Sequence, residues 1–121
     1  MAQSVVLYAK DPNVVQSLVG GLRSHFQAVH VTGSRDEMRE KVESNHPEAV
    51  VLDIESSRLT DVANLHRDFP SLLIVCTHRI PDEELWMAAL EAGASDVCPE
   101  DDVTNVLSSV LRNMALARAT A

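Results

Sequence analysis

The chain alternates short apolar runs with longer stretches in which apolar residues recur at helical spacing. A stretch with helical periodicity or helix-end signals follows each of five apolar runs, which predicts five strand–helix units in succession. Ser34 with Glu37 is a capping box, and Gly93 indicates a left-handed helix end. Strands are predicted over residues 4–9, 28–32, 49–54, 72–76 and 97–98, and helices over residues 13–25, 34–46, 60–69, 81–93 and from 102 onward.

The predicted strands are apolar on both faces, which is typical of parallel strands buried between two layers of helices. This order of elements favours one doubly wound α/β sandwich, a five-stranded parallel sheet with strand order 2-1-3-4-5. The length of 121 residues suits a single domain. We expect that domain to span residues 1–121, with the small-residue tail at 115–121 either fraying or beginning a linker.

Charge and hydropathy limit the class of partner. The formal net charge is −8, so a nucleic acid or an anionic membrane is not an expected partner, because phosphate groups are bound by basic surfaces. No apolar run approaches the roughly 18 residues of a membrane span, and no signal-peptide pattern is seen, so we expect a cytoplasmic protein. Cys76 and Cys98 are expected to be buried, reduced thiols.

Ligands of doubly wound sheets bind beyond the carboxyl ends of the strands. That edge is predicted to carry Ala9 to Asp11, Asp53 to Glu55, Thr77 and His78, and Pro99 to Asp101, which includes Glu100. The chain has no G-x-x-x-x-G-K-[ST] loop and no G-x-G-x-x-G, and its histidines lack metal-ligand spacing, so no enzyme is expected. A small flavodoxin-like cofactor-binding protein stays open as an alternative, which a co-purifying cofactor would reveal.

The segments PEAVVLDIE, IVCTHR and EAGASDVCPED resemble the receiver domain of two-component response regulators, the CheY-like family. The resemblance covers nearly the whole chain. It implies that Asp53 is equivalent to the aspartate that accepts a phosphoryl group, and that Thr77 matches the hydroxyl residue that hydrogen-bonds this group. It also implies a histidine kinase or an attached output domain as a partner.

The chain departs from this family where the family binds Mg²⁺. The two metal-binding acids after the first strand are replaced by Ala9 and Lys10, and the lysine after the fifth strand is replaced by Glu100. We therefore expect no metal and no cofactor, with Lys10 paired to Asp53 or Glu100 in place of the ion. A weak, displaced Mg²⁺ site that uses Asp11 or Glu55 stays open as an alternative.

The family's usual dimer or partner face consists of the fourth helix, the fifth strand and the fifth helix. Leu85 and Trp86 are adjacent on that helix, so both cannot point inward, and Val97 replaces the family's aromatic switch residue. We expect an atypical receiver that contacts a protein partner or a second copy through this face, independently of Mg²⁺-dependent phosphorylation. A receiver still phosphorylated on Asp53 is the alternative.

Overall fold

The protein is described by a computed structural model that covers residues 2–80 and 82–120. It forms one five-stranded parallel sheet in the order β2-β1-β3-β4-β5, which confirms the predicted doubly wound topology. The strands are β1 (Ala2–Tyr8), β2 (Phe26–Thr32), β3 (Ala49–Asp53), β4 (Leu73–His78) and β5 (Asp96–Pro99). The helices are α1 (Pro12–Leu22), α2 (Arg35–Asn45), α3 (Leu59–Asp68), α4 (Glu83–Ala92) and α5 (Val103–Thr120).

Helices cover both faces of the sheet, and strand alternation decides which side chain enters which core. One core lies between the sheet and helices α2, α3 and α4, and the other lies between the sheet and helices α1 and α5. The first core contains Val6, Tyr8, Val50, Leu52, Ile74 and Cys76 from the strands. The second contains Val5, Leu7, Ala49, Val51, Val75 and Cys98.

The structure extends several elements beyond their predicted bounds, β4 and α5 among them. Strand β4 includes Thr77 and His78, which pair in register with Asp53 and Pro99 on the neighbouring strands. Residues 115–120, predicted as a tail, continue α5. Of the residues predicted to open the fourth helix, Pro81 lies outside the described part of the chain.

Local signals place the start of α2 and the end of α4 where the sequence predicts them. Ser34 accepts a hydrogen bond from the backbone N–H of Glu37 at the start of α2. Helix α4 ends at Gly93, whose φ of 119° is in the left-handed region. A Cβ atom there would lie 2.5 Å from His66, so glycine is required both by the backbone and by the neighbouring side chain.

The two cysteines are free and buried, as expected. They lie in different cores on opposite faces of the sheet, which explains why these neighbours do not form a disulfide. Burial raises the pKa of Cys76 to about 12 and that of Cys98 to about 11, so both are protonated at neutral pH. Among residues 2–80 and 82–120, no helix has both the length and the apolar character needed to cross a membrane.

Candidate functional site

The carboxyl ends of β3, β4 and β5 bring three predicted site residues to one edge of the sheet. Asp53 ends β3 and pairs in register with Thr77, and Thr77 pairs with Cys98 two residues before Glu100. Register partners on parallel strands point to the same face, so Asp53 and Thr77 share the face covered by α1 and α5. The structure therefore brings together residues that lie far apart in the chain.

Asp53 is 6% exposed and its carboxylate is turned into the loop that follows β3. Its Oδ1 accepts a hydrogen bond from the backbone N–H of Glu55 (2.9 Å), and its Oδ2 accepts one from the Ser56 hydroxyl (2.9 Å). The Ser57 hydroxyl donates to the Asp53 carbonyl oxygen at 2.8 Å. The aspartate thus organises its own turn, and no basic side chain among the described residues contacts its carboxylate.

Three acids converge at this edge, and we call Asp53, Glu55 and Glu100 the acid trio. One carboxylate oxygen from each lies within 4.8 Å of the other two. Arg79 binds Glu55, with its backbone N–H 2.7 Å from Oε1 and its Nε 3.2 Å from Oε2. These contacts, the backbone N–H foremost, lower the pKa of Glu55.

The Glu100 carboxylate lacks contacts like those that Arg79 makes with Glu55. Within the described part of the chain its carboxylate has no hydrogen bond and no ion pair. Burial raises the pKa of Glu100, and the negative charges of Asp53, Glu55 and Asp11 raise it further. The site therefore holds an acid that lacks a partner beside two others.

Thr77 lies at the same edge of the sheet, beside Asp53, and is fully buried. Its backbone carbonyl accepts a hydrogen bond from the Ile54 N–H at 3.0 Å. Its Oγ1 is the one buried side-chain oxygen or nitrogen of residues 2–80 and 82–120 that has no hydrogen-bond partner. A buried hydroxyl without a partner is costly, so this atom marks an unmet interaction at the site.

The expected pairing of Lys10 is wrong. In the described residues its side chain forms no ion pair with Asp53 or Glu100 and is exposed. Lys10 lines an open cleft of about 510 Å³ beside the start of α2, where Arg35 and Arg58 also lie. The physical reason is local, because the Asp53 carboxylate already takes its hydrogen bonds from its own turn.

Ala9 and Asp11 do not supply ligands for a cation at this edge. Ala9 is buried and has no polar side-chain atom. Asp11 is the N-cap of α1, where its Oδ1 accepts a hydrogen bond from the Asn13 N–H at 2.9 Å. Its charge contributes to the field at Glu100, and its carboxylate serves the helix end.

The side chains exposed on the candidate partner face are not all those that the sequence singled out. Leu85 is half-buried and Trp86 is 43% exposed, so the two adjacent side chains differ in exposure, as their separation of about 100° around the helix requires. Val97, a candidate for this face, is only 8% exposed and packs in the first core with Cys76, so little of its side chain is available for contact. Met87, which the sequence reasoning missed, is 51% exposed.

Asp96 was also missed as an organising residue of this face. Its Oδ2 accepts hydrogen bonds from the Ser109 hydroxyl (2.6 Å) and from Arg112 Nη2 (3.3 Å), and its Oδ1 accepts from Trp86 Nε1 (3.4 Å). Asp96 therefore joins α4, β5 and α5. Helical spacing could not reveal it, because its side-chain partners lie on two other elements, α4 and α5.

The serines after Asp53 were missed as well, although a sequence signal existed. Asp followed by Ser at the third and fourth positions is typical of a turn in which side chains bond the local backbone. The Ser57 hydroxyl donates to the Asp53 carbonyl oxygen in this way, and the Ser56 hydroxyl donates to the Asp53 carboxylate.

Comparison with known proteins supports the fold. No protein-family model matches the sequence, and a search of the curated proteins gives no match. Solved structures do match. A receiver domain protein of Methanospirillum hungatei JF-1 is similar with a TM-score of 0.87 at 13% identity, and the match covers 100% of both chains.

Two further structures extend the comparison. The N-terminal receiver domain of a response regulator from Bacteroides fragilis has a TM-score of 0.84 at 20% identity, with 94% of this chain and 98% of that chain covered. NtrX from Brucella abortus has a TM-score of 0.82 at 19% identity, with 99% of this chain and 28% of that longer chain covered. The chain therefore has the receiver fold.

Proposed function

We propose that the protein is an atypical receiver module that signals through protein contacts and does not rely on Mg²⁺-dependent phosphorylation of Asp53. The whole-length likeness to receiver structures supports the signalling class. The chemistry of the strand edge supports the atypical part. In a module of this kind the fold presents a surface, and the edge that carries chemistry in related structures is altered.

The observation that carries the proposal is the charge around Asp53. Transfer of a phosphoryl group to a carboxylate requires cationic groups that stabilise the charge on the phosphoryl oxygens. Here Glu55 and Glu100 approach Asp53, and Lys10 does not pair with it. A phosphoryl group on Asp53 would add negative charge to a cluster that is already acidic, which disfavours the modified state.

The candidate partner face is also consistent with this proposal. Receivers that respond to phosphorylation move an aromatic side chain, whereas Val97 is β-branched and buried in a packed core. One conformation would then dominate, with no minor state for a phosphoryl group to select. Trp86 and Met87 offer an exposed apolar surface for a partner or a second copy.

The test is incubation of the protein with acetyl phosphate and Mg²⁺, followed by intact-mass measurement. We expect no stoichiometric mass gain, with Asp53→Asn as the matched control. A gain that is present in the wild-type protein and lost in Asp53→Asn would overturn the proposal.

A receiver phosphorylated on Asp53 is the second candidate, and one observation favours it. The unpaired Thr77 hydroxyl lies on the strand beside Asp53, where it could hydrogen-bond a phosphoryl oxygen. The same mass measurement distinguishes the two candidates, since only this one expects a modified Asp53.

A further inference from the structure

Three basic side chains line one open cleft at the carboxyl edge of the sheet, beside the start of α2. Lys10 follows β1, Arg35 begins α2 and Arg58 precedes α3, and all three border the cleft of about 510 Å³. In a chain whose net charge is −8, basic side chains gathered at one cavity are a local reversal of charge. From this cluster we infer that the cleft binds the phosphate group of a small phosphorylated molecule.

Two of these cations have no counter-charge within the chain as described. Among residues 2–80 and 82–120, neither Lys10 nor Arg58 forms an ion pair with a carboxylate. Both side chains are exposed at the cleft. An anionic ligand can therefore bind them without first breaking an existing ion pair, and a hydrogen bond between charged groups is among the stronger ones.

Arg35 is held in place by Asp61 and keeps donors for a ligand. Its Nε and its Nη2 each donate to one Asp61 carboxylate oxygen at 2.8 Å. A guanidinium has five N–H groups, so these two bonds leave three for another acceptor. A planar donor group of this kind suits phosphate oxygens, and the contact with Asp61 restricts its orientation before a ligand arrives.

The acids at the cleft do not cancel this charge. Glu55 binds Arg79, and Asp61 binds Arg35, so each of these carboxylates already has a counter-charge. Asp36 is the other acid that lines the cleft. It is a single negative charge beside two unpaired cations, so the lining of the cleft is positive on balance.

The first turn of α2 adds backbone donors to the same cleft. Ser34 caps this helix by accepting from the Glu37 N–H, and Arg35 and Asp36 follow Ser34 along the lining. The N–H groups of Arg35 and Asp36 lie too early in the helix to reach a carbonyl of the same helix. The partial positive charge at the start of a helix favours an anion, and here it reinforces basic side chains that already surround the space.

The position and size of the cleft favour a small molecule as the ligand. The loops after β1, β2 and β3 all contribute to its lining, and β1 lies between β2 and β3 in the sheet. This is the place where strand order reverses, and doubly wound sheets bind ligands in the crevice at such a point. The volume of about 510 Å³ also lies in the range of roughly 300–1,000 Å³ that is usual for small-molecule sites.

The inference goes beyond the proposed function and leaves its basis intact. Asp53 and Glu100 do not line the cleft, and Lys10 pairs with neither of them in the described structure. Reversible binding in the cleft requires neither Mg²⁺ nor a modified Asp53. A ligand there would contact the loops after three strands, and it would give the module an input other than phosphorylation.

The experiment titrates the protein with adenosine 5′-monophosphate in a buffer that contains a chelator and no Mg²⁺, and follows the backbone amides by two-dimensional NMR. We expect saturable binding of one molecule per chain with a Kd of about 0.1–1 mM, and the largest shifts in residues 33–36 and 55–58. Lys10→Gln and Arg58→Gln should each weaken binding by about tenfold. Arg23→Gln removes the same charge at the other end of α1 and should change the Kd by less than about twofold.

Two further ligands test whether the phosphate group is what the cleft recognises. Inorganic phosphate should displace the nucleotide, and adenosine, which lacks the phosphate, should bind at least about tenfold more weakly. Equal affinity for adenosine would overturn the inference. A phosphoserine peptide that binds about tenfold more tightly than the nucleotide would also overturn it, because the ligand would then be a phosphorylated protein.

The amide spectrum of each variant shows whether it is folded. Absence of saturable binding below about 10 mM would overturn the inference, because so weak a site would stay largely empty at ordinary ligand concentrations. An equal loss of affinity in Arg23→Gln and Lys10→Gln would overturn it as well, since that result means diffuse attraction to basic side chains. The phosphodonor experiment measures covalent mass and this titration measures reversible binding, so each proposal fails on its own measurement.

Discussion

Two aspartates at strand ends, Asp53 and Asp96, have carboxylates with opposite surroundings. Asp96 begins β5 and accepts hydrogen bonds from its neighbour's backbone N–H, from Ser109, from Arg112 and from Trp86. Asp53 ends β3, accepts bonds from its own turn, and faces two further acids with no cation in contact among the described residues.

The difference separates a carboxylate that is fully compensated within the chain from one that has hydrogen bonds alone. A buried charge is tolerated when hydrogen bonds and an opposite charge compensate for its lost hydration. Asp96 has both within the chain, and the bonds connect three elements of the candidate partner face. Asp53 has hydrogen bonds without an opposite charge, so its compensation is incomplete unless something outside the chain completes it.

The largest expected effect comes from the same substitution at both positions. Asp96→Asn places an amide NH₂ or a neutral oxygen against the donors Ser109 and Arg112, so we expect a loss of about 2–3 kcal/mol in the free energy of unfolding. Asp53→Asn keeps an acceptor for the Glu55 N–H and removes repulsion within the acid trio, so its change should stay within about 1 kcal/mol.

Urea unfolding of both variants in the presence of a chelator measures these differences. The chelator is needed because a bound cation would stabilise the wild-type protein and exaggerate the effect of Asp53→Asn. Equal losses at the two positions would show that Asp53 is as fully compensated as Asp96, and the contrast between them would not hold.

A second prediction concerns association, which we expect to depend on the candidate partner face and not on the strand edge around Asp53. Trp86→Ala removes the largest exposed ring on α4, and we expect self-association or partner capture to weaken by about tenfold, as is usual for a tryptophan at an interface. Asp53→Glu, at the other region, should leave association unchanged. Sedimentation of the wild-type protein and both variants over a concentration series measures the self-association.

Trp86→Phe is the matched control, because it keeps an aromatic ring and loses the indole N–H that donates to Asp96. It should retain most of the association if ring contact is what matters. A change of oligomeric state in Asp53→Glu would mean that the strand edge still communicates with the partner face, in favour of the phosphorylated receiver.

The fold was predictable because its signals are local or periodic. Apolar runs predict the buried strands, Ser34 and Gly93 mark helix ends, and chain order alone brings Asp53 and Thr77 to one edge. These features follow from backbone geometry and need no knowledge of where a long side chain points.

The parts that were wrong or missed depend on side-chain direction and on contacts between distant elements. Lys10 lies after β1 as predicted, yet its flexible side chain lines the cleft beside α2. Val97 occupies the predicted strand, but the side of the pleat that it occupies buries it. The residues around Asp96 and Glu100 come from distant parts of the chain. Neither a short motif nor the spacing of apolar residues predicts such surroundings.

The smallest expected change in the free energy of unfolding comes from removing either of two fully buried hydroxyls, one in each region. Ser109 donates to Asp96 at 2.6 Å, whereas Thr77 Oγ1 has no partner in the described structure. Ser109→Ala removes a bond to a charged group and should cost about 1–2 kcal/mol. Thr77→Val replaces an unpaired hydroxyl by a methyl group of the same shape, so in a chelator-containing buffer stability should be unchanged or rise by about 0.5–1 kcal/mol.

The sign of the Thr77→Val change tests the contrast between the two hydroxyls, and urea unfolding with the chelator present measures it. A destabilised Thr77→Val in the chelator buffer would mean that the hydroxyl already has a partner without any ion.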